Sequence, residues 1–310
     1  MAIDPVVLFF IVGLIAGLLR AEMRLPTAIY EFLSVILLLA IGLKGGIELS
    51  KQPFLNLLPD IITVLVMGFL LPLLAFPILY YFGKFKKADA ASIAGHYGSV
   101  SVGTYAVAVA YLGSLSINYE AHMPLFLVVL EIPAIIVAIV LVRGISKATK
   151  WGKLAHEVFL GKSIVLLIGG LLIGWVAGEE GVKSISGFFF DPFKGVLSLF
   201  LLEMGLIAAS QVHSLKKYGL FLLGFGIIFP IASGVIGIIT ALLLGLSIGG
   251  AVLLATLAAS ASYIAVPAAM RIALPESNPT LSLTASLGVT FPFNIVIGVP
   301  LYHQLAKMIY

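Results

Sequence analysis

No cysteine occurs anywhere in the 310 residues, so disulfides, thiolate nucleophiles and thiolate metal ligands are all excluded. Charge is almost as scarce. Asp, Glu, Lys and Arg together make up 10% of the chain, against 61% hydrophobic residues and a mean hydropathy of +1.17. A soluble domain of this length needs far more polar surface, so the composition specifies a polytopic membrane protein. The glycine-rich segments lack a P-loop lysine, which removes an ATPase motif. A basic segment ahead of the first apolar run is also missing, which favours a retained first helix over a cleaved signal peptide. The small net charge of +4 is not a nucleic-acid signal, because the basic residues lie in loops.

Long apolar runs dominate what remains. They fall near 6–19, 29–43, 61–82, 89–112 and 122–142, and again near 161–177, 194–209, 218–244, 248–270 and 280–306. The expected fold is therefore all-α with ten transmembrane helices. With the N-terminus outside, thirteen of the eighteen Lys and Arg residues fall in the inside loops. The positive-inside rule then places both termini outside a cell (inner or plasma) membrane. Residues 1–142 and 161–310 read as two five-helix repeats, joined by a basic linker over 143–160. Gly13, Ile41, Pro72, Ser99 and Ile132 match Gly170, Met204, Pro230, Ser260 and Phe291 in the same order, at offsets of 157–163. Five spans per repeat is odd, so the halves enter from opposite sides, an inverted-topology repeat of the kind many secondary transporters use. The linker around Trp151 reads either as an ordinary inside loop or as a short surface helix over Lys147 to Lys162.

Two stretches break the apolar pattern. Ala94 to Thr104 contains Gly95, Gly98 and Gly103 with Ser99, Ser101 and Thr104; Ala258 to Pro267 contains Ser260 and Ser262. Glycine and hydroxyls weaken a helix where lipid offers no water. The pair therefore predicts two broken helices meeting at a polar site, whose half-helix N-termini favour an anion. Gly98, Ser99, Ser101, Ser260, Ser262 and Tyr263 are the expected substrate contacts. Thr104, Glu131, Thr290 and Asn294 are the expected coupling-ion side, with hydroxyl, carboxylate and amide oxygens suited to sodium. Glu203 reads as a second coupling group or a subunit contact. Gly13, Gly17, Gly170 and Gly174 read as close-packing positions. No cluster suggests a cofactor, a transition metal or a nucleophile–base pair, so no enzymatic activity is expected.

The motifs Ile41 to Gly46, Gly98 to Ser101, Asn118 to Ala121 and Glu131 to Ile139 resemble the cyanobacterial-type sodium-dependent bicarbonate transporter family, the SbtA-like permeases. So do Asp191 to Ser198, Ala258 to Ser262 and Pro275 to Pro279. The resemblance runs nearly end to end. It implies sodium-coupled symport of bicarbonate, bound between the breaks, in a homotrimer whose core domain moves against a fixed gate. The family also has a PII-like regulatory partner, for which the short central loop here offers little room. Tyr263 stands where members carry aspartate after the second serine cluster, and Glu131 where they carry aspartate before Ile-Pro. The remaining alternatives are a carrier for another small carboxylate or inorganic anion and a transport-inactive membrane sensor.

Overall fold

A computed structural model describes residues 4–21, 23, 25–51, 54–144 and 151–310; Arg24, Lys147 and Lys150 lie outside them. The described chain is helical with connecting turns and contains no strand. It opens with α1 (Pro5–Leu18), α2 (Thr27–Leu49) and α3 (Leu58–Pro77), the last continued by a π-helical turn, Ile78–Phe82. Then come α4 (Lys87–Gly98), α5 (Val102–Ser114), α6 (Met123–Arg143) and a short α7 (Trp151–Phe159) inside the expected linker. The second half holds α8 (Lys162–Phe189), α9 (Phe193–Leu243), α10 (Ile248–Ala259), α11 (Ala265–Ala273) and the long α12 (Pro279–Ile309).

Among the described residues, seven helices are long and apolar enough to span a membrane: α2, α3 with its continuation, α6, α8, the two parts of α9 and α12. The other apolar runs are shorter or interrupted, and two of the interruptions fall where broken helices are expected. With 14 residues, α1 is about 21 Å long, short of a hydrocarbon core of about 30 Å. The runs at 89–112 and 248–270 are each cut in two. The run at 161–177 goes on to Phe189, past Gly178 at φ +63°, and α9 carries two apolar runs through Gly219 at φ +81°. Both glycines combine a positive φ with an extended ψ, which glycine alone adopts without strain, so each long element is two helices joined at a kink.

The outer surface is apolar. Val12, Val66, Val176, Leu220 and Ile228 each expose more than half of their area, and Val176 and Leu220 expose 84%. Water would penalise such a belt by roughly 25 cal/mol for each Å². Lipid does not, so the chain is membrane-embedded.

Two helix crossings have no room for side chains. A Cβ on Gly42 of α2 would meet the Leu167 carbonyl oxygen at 2.7 Å, Gly170 Cα at 3.0 Å and Leu171 N at 3.1 Å, all on α8. A Cβ on Gly205 of α9 would meet the Phe10 carbonyl, with Leu14 N at 2.6 Å and the Gly13 carbonyl carbon at 2.9 Å, all on α1. These crossings use corresponding residues. Phe10, Gly13 and Leu14 lie 157 positions before Leu167, Gly170 and Leu171, and Gly42 lies 163 before Gly205. Small residues let backbones touch where lipid supplies no hydrophobic drive to association. Gly13, Gly170 and Gly174 are packing positions of this kind, each with neighbouring backbone where a side chain would go. Gly17 is packed against Ala209.

The remaining helices surround the interruptions. α3, α4 and α6 pack together, while α10 packs on the second part of α9 and on the end of α12. The two broken pairs, α4–α5 and α10–α11, run antiparallel, because the end of each lies against the start of the other. Glu120, just after α5, accepts hydrogen bonds from Ser247 N (2.6 Å) and Ser247 Oγ (3.2 Å) at the start of α10. Asp89, in the first turn of α4, accepts from Asn278 N (2.7 Å), just after α11.

Candidate functional site

Both interruptions fall where glycine and serine concentrate. α4 ends at Gly98, Ser99 and Ser101 are extended, and α5 starts at Val102. α10 ends at Ala259, Ser260 is extended, and α11 starts at Ala265. Gly98 is needed for space: a Cβ there would lie 2.5 Å from Pro72 Cδ on α3 and 2.9 Å from Ala134 Cβ on α6. Gly103 makes room for Tyr263, whose hydroxyl would be 2.6 Å from a Cβ at that position.

A helix end leaves backbone groups unpaired, and at this depth protein must satisfy them. The two breaks do much of this for each other. Ser101 N donates to Ser260 Oγ (2.9 Å), and Ser262 N donates to the His96 carbonyl (2.8 Å). The Ser260 hydroxyl passes its own proton to the Leu257 carbonyl (2.9 Å). Ser101 Oγ caps α5 by accepting from Thr104 N (3.1 Å) and from Thr104 Oγ1 (2.8 Å). Ser262 Oγ accepts from Val266 N at 3.4 Å.

In the first turn of α5 this leaves Val102 N with no partner among the described hydrogen bonds, while Gly103 N faces the Tyr263 hydroxyl. The Tyr263 hydroxyl is buried, and Gly103 N and the Ser101 hydroxyl approach it without closing to a well-formed hydrogen bond. Phe291 packs edge-on to the Tyr263 ring (centroids 5.4 Å apart), and Phe200, stacked on Tyr30 of α2, closes on Gly103. The N-terminal end of α5 and a phenol therefore meet where the broken helices pack on α2 and α9. Such a cluster suits an oxyanion.

The residues expected on the cation side surround the breaks without forming one cluster. Glu131, 2% exposed, accepts from Ser99 Oγ (2.9 Å). Thr290 Oγ1 donates to the Gly226 carbonyl (2.7 Å) and is bonded to the Tyr97 hydroxyl (2.6 Å). Asn294 Nδ2 caps α10 at the Ala259 carbonyl (2.9 Å), while its Oδ1 accepts from Tyr302 (2.8 Å). No described hydrogen bond joins Glu131 to Thr104, Thr290 or Asn294. Thr290 ends one π-helical turn of α12 and Asn294 starts the next. Pro292 and Pro300 remove donors from this helix, and wide turns absorb the defect. Glu203 lies apart, accepting from Leu25 N (3.1 Å) ahead of α2.

Sequence reasoning missed Tyr302 and the vestibule. Tyr302 follows Asn294 by eight residues, about two turns along one helix face, which was the available signal. The vestibule is a cavity of about 770 Å³ between α2, α5, the 116–121 loop and the start of α9. Lys44, Lys194, Glu48 and Asp191 line its mouth, and Tyr105 lies in its wall. Burial pushes the Tyr119 phenol in that loop above its ordinary pKa, so it lines the cavity as a neutral donor.

An all-helical, membrane-embedded chain with two interrupted helices crossed at a buried polar site has the build of a membrane transporter. Residues 5–307 match the family described as the Na+-dependent bicarbonate transporter superfamily, and the chain belongs to that family. The family is one of transporters, not enzymes. No curated protein sequence matches the chain.

Proposed function

We propose that this protein is a secondary transporter that moves bicarbonate together with sodium by alternating access. The observation that carries the reading is the crossing itself. Ser101 N on Ser260 Oγ and Ser262 N on the His96 carbonyl lock the breaks together, with the start of α5 and the Tyr263 hydroxyl beside them. Bicarbonate sits against this helix start and phenol, framed by Gly98, Ser99, Ser101, Ser260 and Ser262. Sodium sits on the oxygen-rich side, drawing on Glu131, Thr104, Thr290 and Asn294 as the helices shift. Family membership supports both cargoes.

In this reading ten helices form two inverted five-helix repeats, over 1–142 and 161–310. The matched crossings at Gly42 and Gly205 support this pairing. α1, α2, α8 and the first part of α9 make the gate and the trimer contact; the helices around the breaks make the moving core. Both termini face outward across the cell membrane, following the basic-residue count.

The test is uptake of labelled bicarbonate into proteoliposomes, with and without an inward sodium gradient. Sodium-stimulated uptake is the expected result. Uptake indifferent to sodium overturns the coupling ion, and no uptake by monodisperse protein overturns transport. Glu131→Gln keeps an acceptor for Ser99 but removes the charge. It is expected to abolish sodium stimulation while the melting temperature stays close to that of the parent protein. A variant whose sodium response is unaltered removes Glu131 from the cation path.

A further inference from the structure

A second cavity lies at the opposite end of the broken helices from the vestibule. It encloses about 110 Å³ between α4, α11 and the 274–279 turn. That exceeds the space one water molecule needs and suits an ion of a few heavy atoms. Its polar lining is nearly all spent. The Ser92 hydroxyl is paired with Ser282 (3.1 Å), and the Ser277 hydroxyl donates to the Leu274 carbonyl (2.8 Å). Two groups remain. His96, 1% exposed, lines the cavity; its Nδ1 is 2.7 Å from the Ser92 carbonyl, and its Nε2 is buried without a partner. A carbonyl can only accept, so Nδ1 carries the proton, and Nε2 of the neutral ring is an acceptor. Arg271 lies in the same wall, solvent-exposed, and no described ion pair uses it. The nearby carboxylates are engaged elsewhere: Asp89 with Asn278 N and Glu276 with Arg143 (2.7 Å).

We propose that this cavity is a separate binding site for an oxyanion that carries its own hydroxyl, with the O–H donating to His96 Nε2 and the charged oxygens facing Arg271. Within the transport reading above, on which the choice of ligand rests, this is a waiting site for bicarbonate one step from the crossing. The connection is direct, because the residue that offers its imidazole to the cavity offers its carbonyl to Ser262 at the break. Neither group alone makes the selection. Arg271 attracts any anion, but a bare acceptor nitrogen rejects anions without a proton to give, since two acceptors would face each other in a buried space. Nitrate and formate are therefore excluded where bicarbonate is admitted.

The test uses full-length protein in nanodiscs, labelled with 15N-histidine, and assigns the His96 signal by its loss in His96→Gln. Adding bicarbonate is expected to move that signal saturably, whereas nitrate and formate at equal concentration leave it in place. Arg271→Gln, at an exposed position, is expected to weaken the bicarbonate titration about tenfold, as befits the loss of one charge-assisted contact. An equal shift with nitrate overturns selection by the hydroxyl. No shift in a preparation that transports bicarbonate overturns the site and leaves the transport reading standing. A saturable shift in a preparation that does not transport supports the site and overturns the transport reading alone.

Discussion

Ser260→Ala is expected to cut bicarbonate uptake at least about fivefold. Alanine removes the acceptor of the Ser101 N–H, a group 159 residues away in sequence and fully buried in the fold. A buried donor left unpaired costs about 1–3 kcal/mol, which corresponds to a shift of about five- to 150-fold between competing arrangements. The loss falls on the geometry that presents the start of α5, so transport suffers more than folding. Ser260→Thr restores a hydroxyl and is expected to recover part of the activity. Uptake and melting temperature should be read together. A variant that melts lower yet transports normally would mean that the crossing is scaffold only. Unchanged uptake by the double variant Ser99→Ala with Ser260→Ala would remove the breaks from the anion path.

The second large effect is on folding. Gly42→Val and Gly205→Val each place a branched side chain against backbone: Leu167 O and Gly170 Cα in one crossing, Leu14 N and the Phe10 carbonyl in the other. A flexible side chain facing them would rotate away, but helix backbone cannot, so the helices must separate. Overpacking usually costs about 1–3 kcal/mol, and a main-chain obstacle puts these variants at or above the top of that range. The two crossings share no residues, so the double variant should show roughly the sum. Thermal unfolding followed by fluorescence-detected size exclusion measures this. A change no larger than that of a substitution at lipid-facing Val176 would mean that the crossings are looser than they look.

The breaks are legible in the sequence because their cause is local. Gly98, Ser99, Ser101, Ser260 and Ser262 weaken a helix by backbone freedom and competing hydroxyls, and α4 and α10 stop at Gly98 and Ala259 accordingly. The glycines of α1 and α8 were recognisable as packing positions for the same reason. Helix lengths were less legible. Nothing in composition alone said that Gly178 and Gly219 would each join two helices at a kink, because a positive φ depends on how the flanking segments pack.

Sequence by itself determined that this chain lives in a membrane, where its helices run and where two of them fail, since hydropathy and backbone preference act over a few residues. Only the tertiary structure decided the partners. It gave Ser260 to Ser101 N, Ser262 N to the His96 carbonyl and Asn294 to Ala259, and it left His96 Nε2 open. Those pairings join groups up to about 170 residues apart, and several acceptors compete for each donor. In a water-free interior the outcome is set by which backbone ends packing brings within about 3 Å of each other.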